Sequence, residues 1–391
     1  MTTHAGNNLS MELSIVLPCL NEEKTVGICV TKARNFLEAN NIDGEVVVAD
    51  NGSTDQSAQI ASANGARVID VEEKGYGNAL RGGFKAARGK YIIMADSDDS
   101  YDLRNLMPFV EKLREGYDLV VGNRFKGGIA KGAMPWHHRY IGNPILTFIG
   151  KLFFRSPVSD FHCGLRGFSK DAFKKMDLQT TGMELASEIV VKASIHDLRT
   201  CEVATTLSPD GRDAAPHLRS FRDGWRHLRF LLIFSPRWLF AYPGLVLLGI
   251  GTLLSIILFF GPIDIGFRLI DFHSFILTGT MMILGINMLS FSAITRVYAY
   301  RVGLLPAQPG FPPVFKYFDL EKGLALGLSV FSLGVALIIH AVFLNRSPGF
   351  STLGFDRSIR LVFGGSLSVL TGGQIIFTSF VLSILGMNVS K

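Results

Sequence analysis

The chain has 391 residues, of which 48% are hydrophobic and only 18% are charged. This composition excludes a disordered chain, a coiled coil and a collagen-like fibre, and it favours a membrane protein. The four cysteines form no Cys-x-x-Cys pair, which excludes a disulfide scaffold and a cysteine-rich zinc module. Residues 1–121 carry 12 basic and 18 acidic side chains, whereas residues 122–170 carry eight basic side chains and one acidic side chain. The second stretch therefore suits an anionic partner, while the first would need a cation to hold one.

Residues 13–121 alternate between short β-rich runs and longer amphipathic stretches. The runs are residues 13–17, 45–50, 66–70, 90–96 and 118–122, and the helical windows between them are residues 22–40, 54–64, 76–88 and 103–115. Continuous apolar runs joined by helix-length connections predict βαβ units and a parallel sheet. No secretory signal opens the sequence, so we expect its N-terminus on the cytoplasmic side.

The strongest local signal is the acidic segment MADSDDSYD (94–102), which follows the fourth run. It holds Asp96 and Asp98 in an Asp-x-Asp pattern, with Asp99 beside them. Ligands of α/β folds bind at this edge of the sheet. Carboxylate oxygens suit Mg²⁺ or Mn²⁺ that bridges to a diphosphate. The alternative interpretation is a solvated acidic turn.

Two other strand ends also carry polar residues, and together with the acidic segment they predict one crevice. The residues concerned are Pro18, Asn21, Glu22, Asp50, Gly52 and Ser53. The glycines of KGYGNALRGG (74–83), Gly77 among them, could admit a phosphate at a helix N-terminus, although a lone glycine-rich turn is weak support.

These segments, in this order and spacing, resemble family 2 glycosyltransferases with the nucleotide-sugar-binding GT-A fold. In that family the first two strand ends contact the nucleobase and ribose, and the Asp-x-Asp holds the metal on the sugar diphosphate. The resemblance implies metal ligation by Asp96 and Asp98. The candidate donor-binding residues are Pro18, Asn21, Glu22, Asp50, Gly52, Ser53, Gly77, Asp96 and Ser97.

Two later motifs, VVGNRF (120–125) and DFHCGLRGF (160–168), narrow the resemblance to polyprenyl-phosphate glycosyltransferases such as dolichyl-phosphate mannose synthases. The resemblance covers residues 12–237. It implies that Asp160 lies at the reaction centre and that arginines face phosphates. The candidate acceptor-phosphate residues are Arg124, Arg139 and Arg166, and Arg166 is also a candidate catalytic residue. The alternative for Asp160 and Arg166 is a structural ion pair.

The sequence departs from these families at two positions. Ser100 stands where the mannose synthases place a Gln that ligates the metal, so either Ser100 or a water would complete the site here. Residues 234–238 lack the Gln of the Gln-x-x-Arg-Trp motif, which argues against processive polysaccharide synthesis. Glu184 and Glu188 share one face of a predicted helix, and Glu184 is a candidate catalytic base, with solvated helical carboxylates as the alternative.

Four uncharged stretches after Trp238 are each long enough to span a bilayer. They are residues 239–260, 274–295, 323–344 and 361–387. The connection 296–322 carries more Lys and Arg than the connection 261–273, which favours a cytoplasmic 296–322 loop and a cytoplasmic C-terminus. A very hydrophobic soluble core of helical hairpins is the alternative.

Two segments, residues 136–154 and 216–237, mix basic and apolar side chains in the manner of helices at a membrane surface. Ordinary helices packed on the sheet are the alternative. The sequence thus predicts a GT-A domain over residues 1–215, an amphipathic interfacial helix over residues 216–237 and a transmembrane domain over residues 238–391.

The resulting hypothesis is a multi-pass protein of the inner (plasma) membrane with a cytoplasmic α/β GT-A domain. It would transfer a sugar from a UDP- or GDP-linked donor to a polyprenyl phosphate, with inversion and with Mg²⁺ or Mn²⁺. One alternative transfers the sugar to a lipid hydroxyl, and another is a non-catalytic membrane scaffold. No nucleic-acid partner is predicted, and a homo-oligomer is left open.

Overall fold

The computed structural model describes residues 11–211, 220–264, 266, 269–301, 319–344 and 352–386. The chain divides into an N-terminal unit, Met1–Phe234, and a C-terminal unit, Ser235–Lys391. The domain boundary expected at residues 215–216 and most of the loop 296–322 lie outside the described residues.

The N-terminal unit is built on a sheet of seven strands, within the described residues, in the order β3-β2-β1-β4-β6-β5-β7. The strands are β1 (Leu13–Cys19), β2 (Gly44–Asp50), β3 (Arg67–Asp70), β4 (Tyr91–Met94), β5 (Leu119–Asn123), β6 (Arg166–Ser169) and β7 (Thr200–Ala204). β6 runs antiparallel to β4 and β5, and the other neighbouring strands are parallel. The predicted α/β fold is confirmed, with β6 as an antiparallel strand that the sequence did not indicate.

Helices cover the sheet, and its central strands β1 and β4 are mostly apolar and buried. All seven residues of β1 are buried, as expected for a strand with both faces covered. The helices of this unit are α1 (Val26–Ala39), α2 (Ser57–Ala63), α3 (Tyr76–Ala86), α4 (Met107–Arg114), α5 (Arg124–Gly127), α6 (Asn143–Phe154), α7 (Lys170–Met176), α8 (Leu185–Ile195) and α9 (Ser220–Ile233). A short π-helix, His138–Gly142, leads into α6.

Helix α1 shows how the sequence pattern produces this packing. Its buried side chains recur three and four residues apart and therefore form one apolar face. They are Val26, Cys29, Val30, Ala33, Phe36 and Leu37. Each large apolar side chain buried in this way contributes about 1.5–3 kcal/mol to folding.

The C-terminal unit consists mainly of long apolar helices. A short π-helix (Arg237–Ala241) precedes α10 (Tyr242–Phe260), a small hairpin of β8 (Ile263–Asp264) and β9 (Leu269–Ile270) follows, and the remaining helices are α11 (Phe272–Arg301), α12 (Leu320–Leu344) and α13 (Thr352–Gly386). Four helical segments in the described part of the chain are long and apolar enough to cross a membrane: Arg237–Phe260, Phe272–Arg301, Leu320–Leu344 and Asp356–Gly386. The expected four apolar helices are therefore present.

Glycines let α12 and α13 approach each other closely. A Cβ added to Gly334 would lie 2.5 Å from the carbonyl oxygen of Gly365, and one added to Gly372 would lie 2.6 Å from that of Gly327. Small residues at such contacts allow helices to associate in lipid, where no hydrophobic effect drives them together.

Candidate active site

The acidic loop that follows β4 is fixed by bonds within itself and to the end of β1. Oδ1 of Asp98 accepts hydrogen bonds from the backbone N–H and the hydroxyl of Ser100, at 3.1 and 2.6 Å. Ser100 therefore contacts a predicted metal ligand through its hydroxyl. The hydroxyl of Ser97 donates to the carbonyl oxygen of Pro18 at 2.5 Å, which joins this loop to β1.

The third carboxylate of the loop, Asp99, has a partner of its own. Its backbone φ is 60°, a left-handed conformation that Asp tolerates better than most residues. Nζ of Lys32 in α1 lies 2.6 Å from Oδ1 of Asp99. This ion pair fixes the middle of the loop against α1.

Asp96 lies between α3 and the loop that precedes β6. The hydroxyl of Tyr76, the first residue of α3, donates to Oδ1 of Asp96 at 2.8 Å. A Cβ added to Gly164 would lie only 2.2 Å from Oδ2, so a side chain there would displace the carboxylate. The hydroxyl of Tyr101 accepts a hydrogen bond from the backbone N–H of Gly164 at 2.8 Å. Burial and the nearby Asp96 carboxylate raise the pKa of Tyr76 well above its usual value, so its hydroxyl stays a donor at neutral pH.

The ends of β1 and β2 are tied together through Ser53. Oδ1 of Asp50 accepts from the hydroxyl of Ser53 at 2.5 Å, and that hydroxyl accepts from the backbone N–H of Asn21 at 3.0 Å. Gly52 has φ of 82°, and a Cβ there would lie 1.8 Å from Nζ of Lys74, so only glycine fits. The structure thus brings the predicted donor-binding residues of both strand ends to one edge of the sheet.

Two other predicted donor-binding residues are occupied in packing. The backbone N–H of Glu22 donates to the hydroxyl of Ser57 at 2.7 Å, and Oε2 of Glu22 accepts from the hydroxyl of Thr25 at 3.1 Å. Glu22 is buried and anchors the start of α1. The backbone N–H of Gly77 donates to the carbonyl oxygen of Thr181 at 3.0 Å, so it is already bonded instead of facing a phosphate.

Asp160 and Arg124 form a buried ion pair. Asp160 is 0% exposed, and its carboxylate accepts from Nε and Nη2 of Arg124 at 2.8 and 2.7 Å and from the backbone N–H of Arg124 at 3.0 Å. Oε1 of Glu202 in β7 accepts from the backbone N–H of Asp160 at 3.1 Å. A structural ion pair of Asp160 thus exists, but its partner is Arg124 and not Arg166.

Arg166, in β6, is completely buried and holds the loop beside Asp160. Its Nε, Nη1 and Nη2 donate to the carbonyl oxygens of Cys163, Ala186 and Phe161, at 2.8, 2.5 and 2.6 Å. The guanidinium nitrogens of Arg166 are thus bonded to the backbone. That Arg166 faces a phosphate or takes part in catalysis stays a prediction. Burial also lowers the pKa of Arg166.

The two glutamates expected on one helix face differ in their surroundings. Glu188 is 0% exposed, accepts from the backbone N–H groups of Gln179 and Thr180, both at 2.8 Å, and pairs with Lys192 at 3.0 Å. It is a buried anchor and not a solvated carboxylate. Glu184 precedes α8, and its Oε2 is buried with no hydrogen-bond partner among the described residues.

The segment 136–154 exposes a series of large apolar side chains. Trp136 is 68% exposed and Phe148 is 65% exposed, and Tyr140 and Ile145 are exposed as well. Arg139, in the π-helix, is partly buried, and its guanidinium lies 5.5 Å from the ring centroid of Tyr140. Helix α9 also exposes apolar side chains, among them Phe221 and Trp225.

Sequence reasoning missed three residues that contact the acidic loop or its neighbours: Lys32, Tyr76 and Tyr101. No local pattern marks Lys32 or Tyr101, since each reaches its partner only through the fold. The position of Tyr76 at the start of a predicted helical window was the one available signal.

The donor set at the acidic loop fits a divalent cation that is completed by other ligands. Among the described residues, no group of three or more His, Cys, Asp or Glu side chains could hold a metal ion. Mg²⁺ commonly binds one or two carboxylates together with substrate phosphates and water. Asp96 and Asp98 therefore suit a cation that a nucleotide diphosphate would complete.

A mostly parallel sheet with carboxylates at the carboxyl ends of its strands, followed by four apolar helices, defines a GT-A domain joined to a membrane-spanning unit. Comparison with protein families supports this assignment for both parts of the chain. Residues 14–177 match glycosyl transferase family 2, and residues 293–386 match the glycosyltransferase family 2 C-terminal transmembrane region.

Relatives extend this similarity over the whole chain. The low-salt glycan biosynthesis hexosyltransferase Agl6 of Haloferax volcanii is 37% identical over 387 residues, which is 98% of this chain and 91% of that protein. The dolichyl-phosphate hexose transferase of the same organism is 29% identical over 195 residues, 49% of this chain and 81% of that protein. A crystal structure of glucosyl-3-phosphoglycerate synthase from Mycobacterium tuberculosis with uridine diphosphate is 22% identical, with a TM-score of 0.45 over 57% of this chain and 79% of that one. The chain belongs to glycosyl transferase family 2, and it is a multi-pass membrane protein.

Proposed function

We propose that this protein transfers a sugar from a UDP- or GDP-linked donor to a polyprenyl phosphate, with inversion, at the cytoplasmic face of the inner (plasma) membrane. Membership of family 2 supports the sugar transfer. The similarity to a dolichyl-phosphate hexose transferase supports a lipid phosphate as the acceptor.

The donor would bind at the carboxyl ends of β1, β2 and β4. Asp50 and Ser53 would contact the nucleoside, and Asp96 and Asp98 would hold Mg²⁺ or Mn²⁺ beside the diphosphate. When bound, the cation neutralises charge on the leaving diphosphate. The bonds of Asp98 to Ser100 and of Asp96 to Tyr76 keep these carboxylates in place before the donor arrives.

The acceptor phosphate is already anionic at neutral pH, so the reaction needs no strong base. Arg139, which keeps some exposed surface, is the candidate for direct contact with this phosphate. The buried Arg124–Asp160 pair and the carbonyl contacts of Arg166 act as positioning elements for the loop that borders the acceptor.

The observation that most supports a lipid acceptor is the exposed apolar surface of residues 136–154. This surface lies in the same basic stretch that contains Arg139. A soluble acceptor would not require such a surface. Aromatic and aliphatic side chains flanked by basic residues bind the interface of an anionic bilayer. Helix α9, with Phe221 and Trp225 exposed, would lie on the same kind of surface.

The direct test uses purified full-length protein in lipid nanodiscs, labelled sugar nucleotides, and undecaprenyl or dolichyl phosphate. Mass spectrometry should detect a glycosyl phosphate lipid, and mild acid should release its sugar because the product is a glycosyl phosphate ester. Arg139→Gln should raise the KM for the lipid phosphate with little effect on the donor KM. Arg34→Gln, which removes an exposed arginine of α1, is the matched control.

One observation favours a second candidate function, transfer to a lipid hydroxyl. Oε2 of Glu184 is buried without a hydrogen-bond partner among the described residues, and such a carboxylate is a candidate general base. If this function is correct, the product survives mild acid, free polyprenol serves as well as its phosphate, and Glu184→Gln abolishes turnover.

A further inference from the structure

The carboxylate of Asp96 is held on both sides, by Tyr76 and by Gly164. The hydroxyl of Tyr76 donates to Oδ1 at 2.8 Å. Oδ2 lies against Gly164, where an added Cβ would come within 2.2 Å of it. The orientation of this carboxylate is thus restricted in the protein alone.

The backbone at the start of α3, which positions the hydroxyl of Tyr76, is itself held by close contacts. Gly75 precedes α3 with φ of 134°, and a Cβ there would lie 2.3 Å from the carbonyl oxygen of Thr181. That carbonyl accepts from the backbone N–H of Gly77 at 3.0 Å. The neighbouring loop is held in turn by Glu188, whose Oε2 accepts from the backbone N–H and the hydroxyl of Thr180 at 2.8 and 2.6 Å. A buried glutamate of α8 therefore helps to hold the loop on which the start of α3 rests.

We propose that Tyr76 is a positioning residue for the divalent cation, because its hydroxyl orients the Asp96 carboxylate. This inference rests on the proposed function, in which Asp96 and Asp98 hold that cation. A donor that bonds one oxygen of a ligating carboxylate fixes the direction of the other lone pairs and limits the reorganisation needed on binding. Loss of such a partner typically weakens metal binding 10–100-fold.

A merely structural role for Tyr76 has a different consequence. The ring packs at the start of α3, so its loss would disturb the whole donor crevice and weaken nucleotide binding with or without metal. A positioning role predicts instead that only the metal-dependent part of binding changes when the hydroxyl alone is removed.

The test compares full-length wild-type protein with Tyr76→Phe in lipid nanodiscs. Loss of the free Mn²⁺ signal in electron paramagnetic resonance measures Mn²⁺ affinity in the presence of UDP and, separately, of GDP. Calorimetry without metal measures nucleotide affinity. Tyr117→Phe is the matched control, because it removes a phenol hydroxyl near the amino end of β5, where the ring packs on Arg199 at 4.2 Å.

We expect Tyr76→Phe to bind Mn²⁺ about tenfold more weakly, while nucleotide affinity without metal and Tm stay near those of Tyr117→Phe. Gly164→Ala, which would press a methyl group against Oδ2 of Asp96, should weaken Mn²⁺ binding by a similar factor. Equal Mn²⁺ affinity in wild type and Tyr76→Phe would overturn this inference alone, as would a parallel loss of nucleotide affinity without metal. A wild-type protein that binds no Mn²⁺ with either nucleotide would overturn the metal role in the proposed function, and the inference with it.

Discussion

Replacing Arg124 tests whether the buried Arg124–Asp160 pair holds the site together. Arg124→Ala removes two hydrogen bonds to a carboxylate that is 0% exposed and leaves it with the backbone N–H of residue 124. Breaking a buried ion pair on one side costs about 3–5 kcal/mol, because an uncompensated charge stays buried. For a domain of this size each kcal/mol lowers Tm by about 2–4 °C, so we expect a loss on the order of 10 °C.

The double variant Arg124→Met/Asp160→Asn distinguishes the loss of the ion pair from the loss of other contacts that Arg124 makes. Removing both charges should recover most of the lost Tm, because no buried charge is left without a partner. Thermal unfolding of the full-length protein in nanodiscs measures Tm, and lipid-product formation is followed in parallel. If Arg124→Ala keeps the wild-type Tm and only raises the KM for lipid phosphate, Arg124 contacts the acceptor directly and the positioning role is wrong.

Three further outcomes are expected. Asp98→Asn should reduce transfer by at least about 100-fold without lowering Tm, and EDTA should abolish transfer reversibly, so full activity in EDTA would contradict the metal site. Burial lowers the pKa of His227 from 6.5 to about 4. The folded protein therefore favours the neutral imidazole, and its free energy of unfolding should fall by about 3 kcal/mol as pH drops from 6.5 to 4. His227→Gln should flatten part of the slope of Tm over that window, and an unchanged slope would refute the assignment. Asp264→Cys in a Cys201→Ser background should react with an impermeant maleimide in intact cells, whereas labelling only after permeabilisation would reverse the proposed orientation.

The strands β1, β2, β4 and β5 were predictable from sequence because each contains a mostly apolar run that is buried. Strand β3 is only partly buried, and it was predictable from its Val68–Ile69 pair between two helical windows. Strand β6 was not predicted, since Arg166–Ser169 holds only one large apolar residue, Phe168, beside a charged arginine. The arginine is tolerated there because its nitrogens reach three backbone carbonyls that only the folded chain brings together.

The candidate site was predictable in residue type but not in pairing. Carboxylates after β4 follow from the Asp-x-Asp pattern, because strand ends of a parallel sheet meet at one edge. Asp160 lies 36 residues from Arg124 in the chain, and no periodicity relates two positions so far apart. The hydroxyl of Tyr76 reaches Asp96 across 20 residues, which the sequence alone does not reveal.

The side chain of Glu202 has a practical consequence for anyone who works with fragments of this protein. Its Oε1 accepts from the backbone N–H groups of Ser159 and Asp160, at 2.5 and 3.1 Å, and it reaches them from β7, beside β5 at the edge of the sheet. The family match ends at residue 177, before α8 and β7. A truncation designed on that limit would strip the last strand from β5 and release the backbone beside Asp160. The smallest stretch that could fold as a unit is therefore longer than the stretch by which the family is recognised, and expression trials should extend past Ala204.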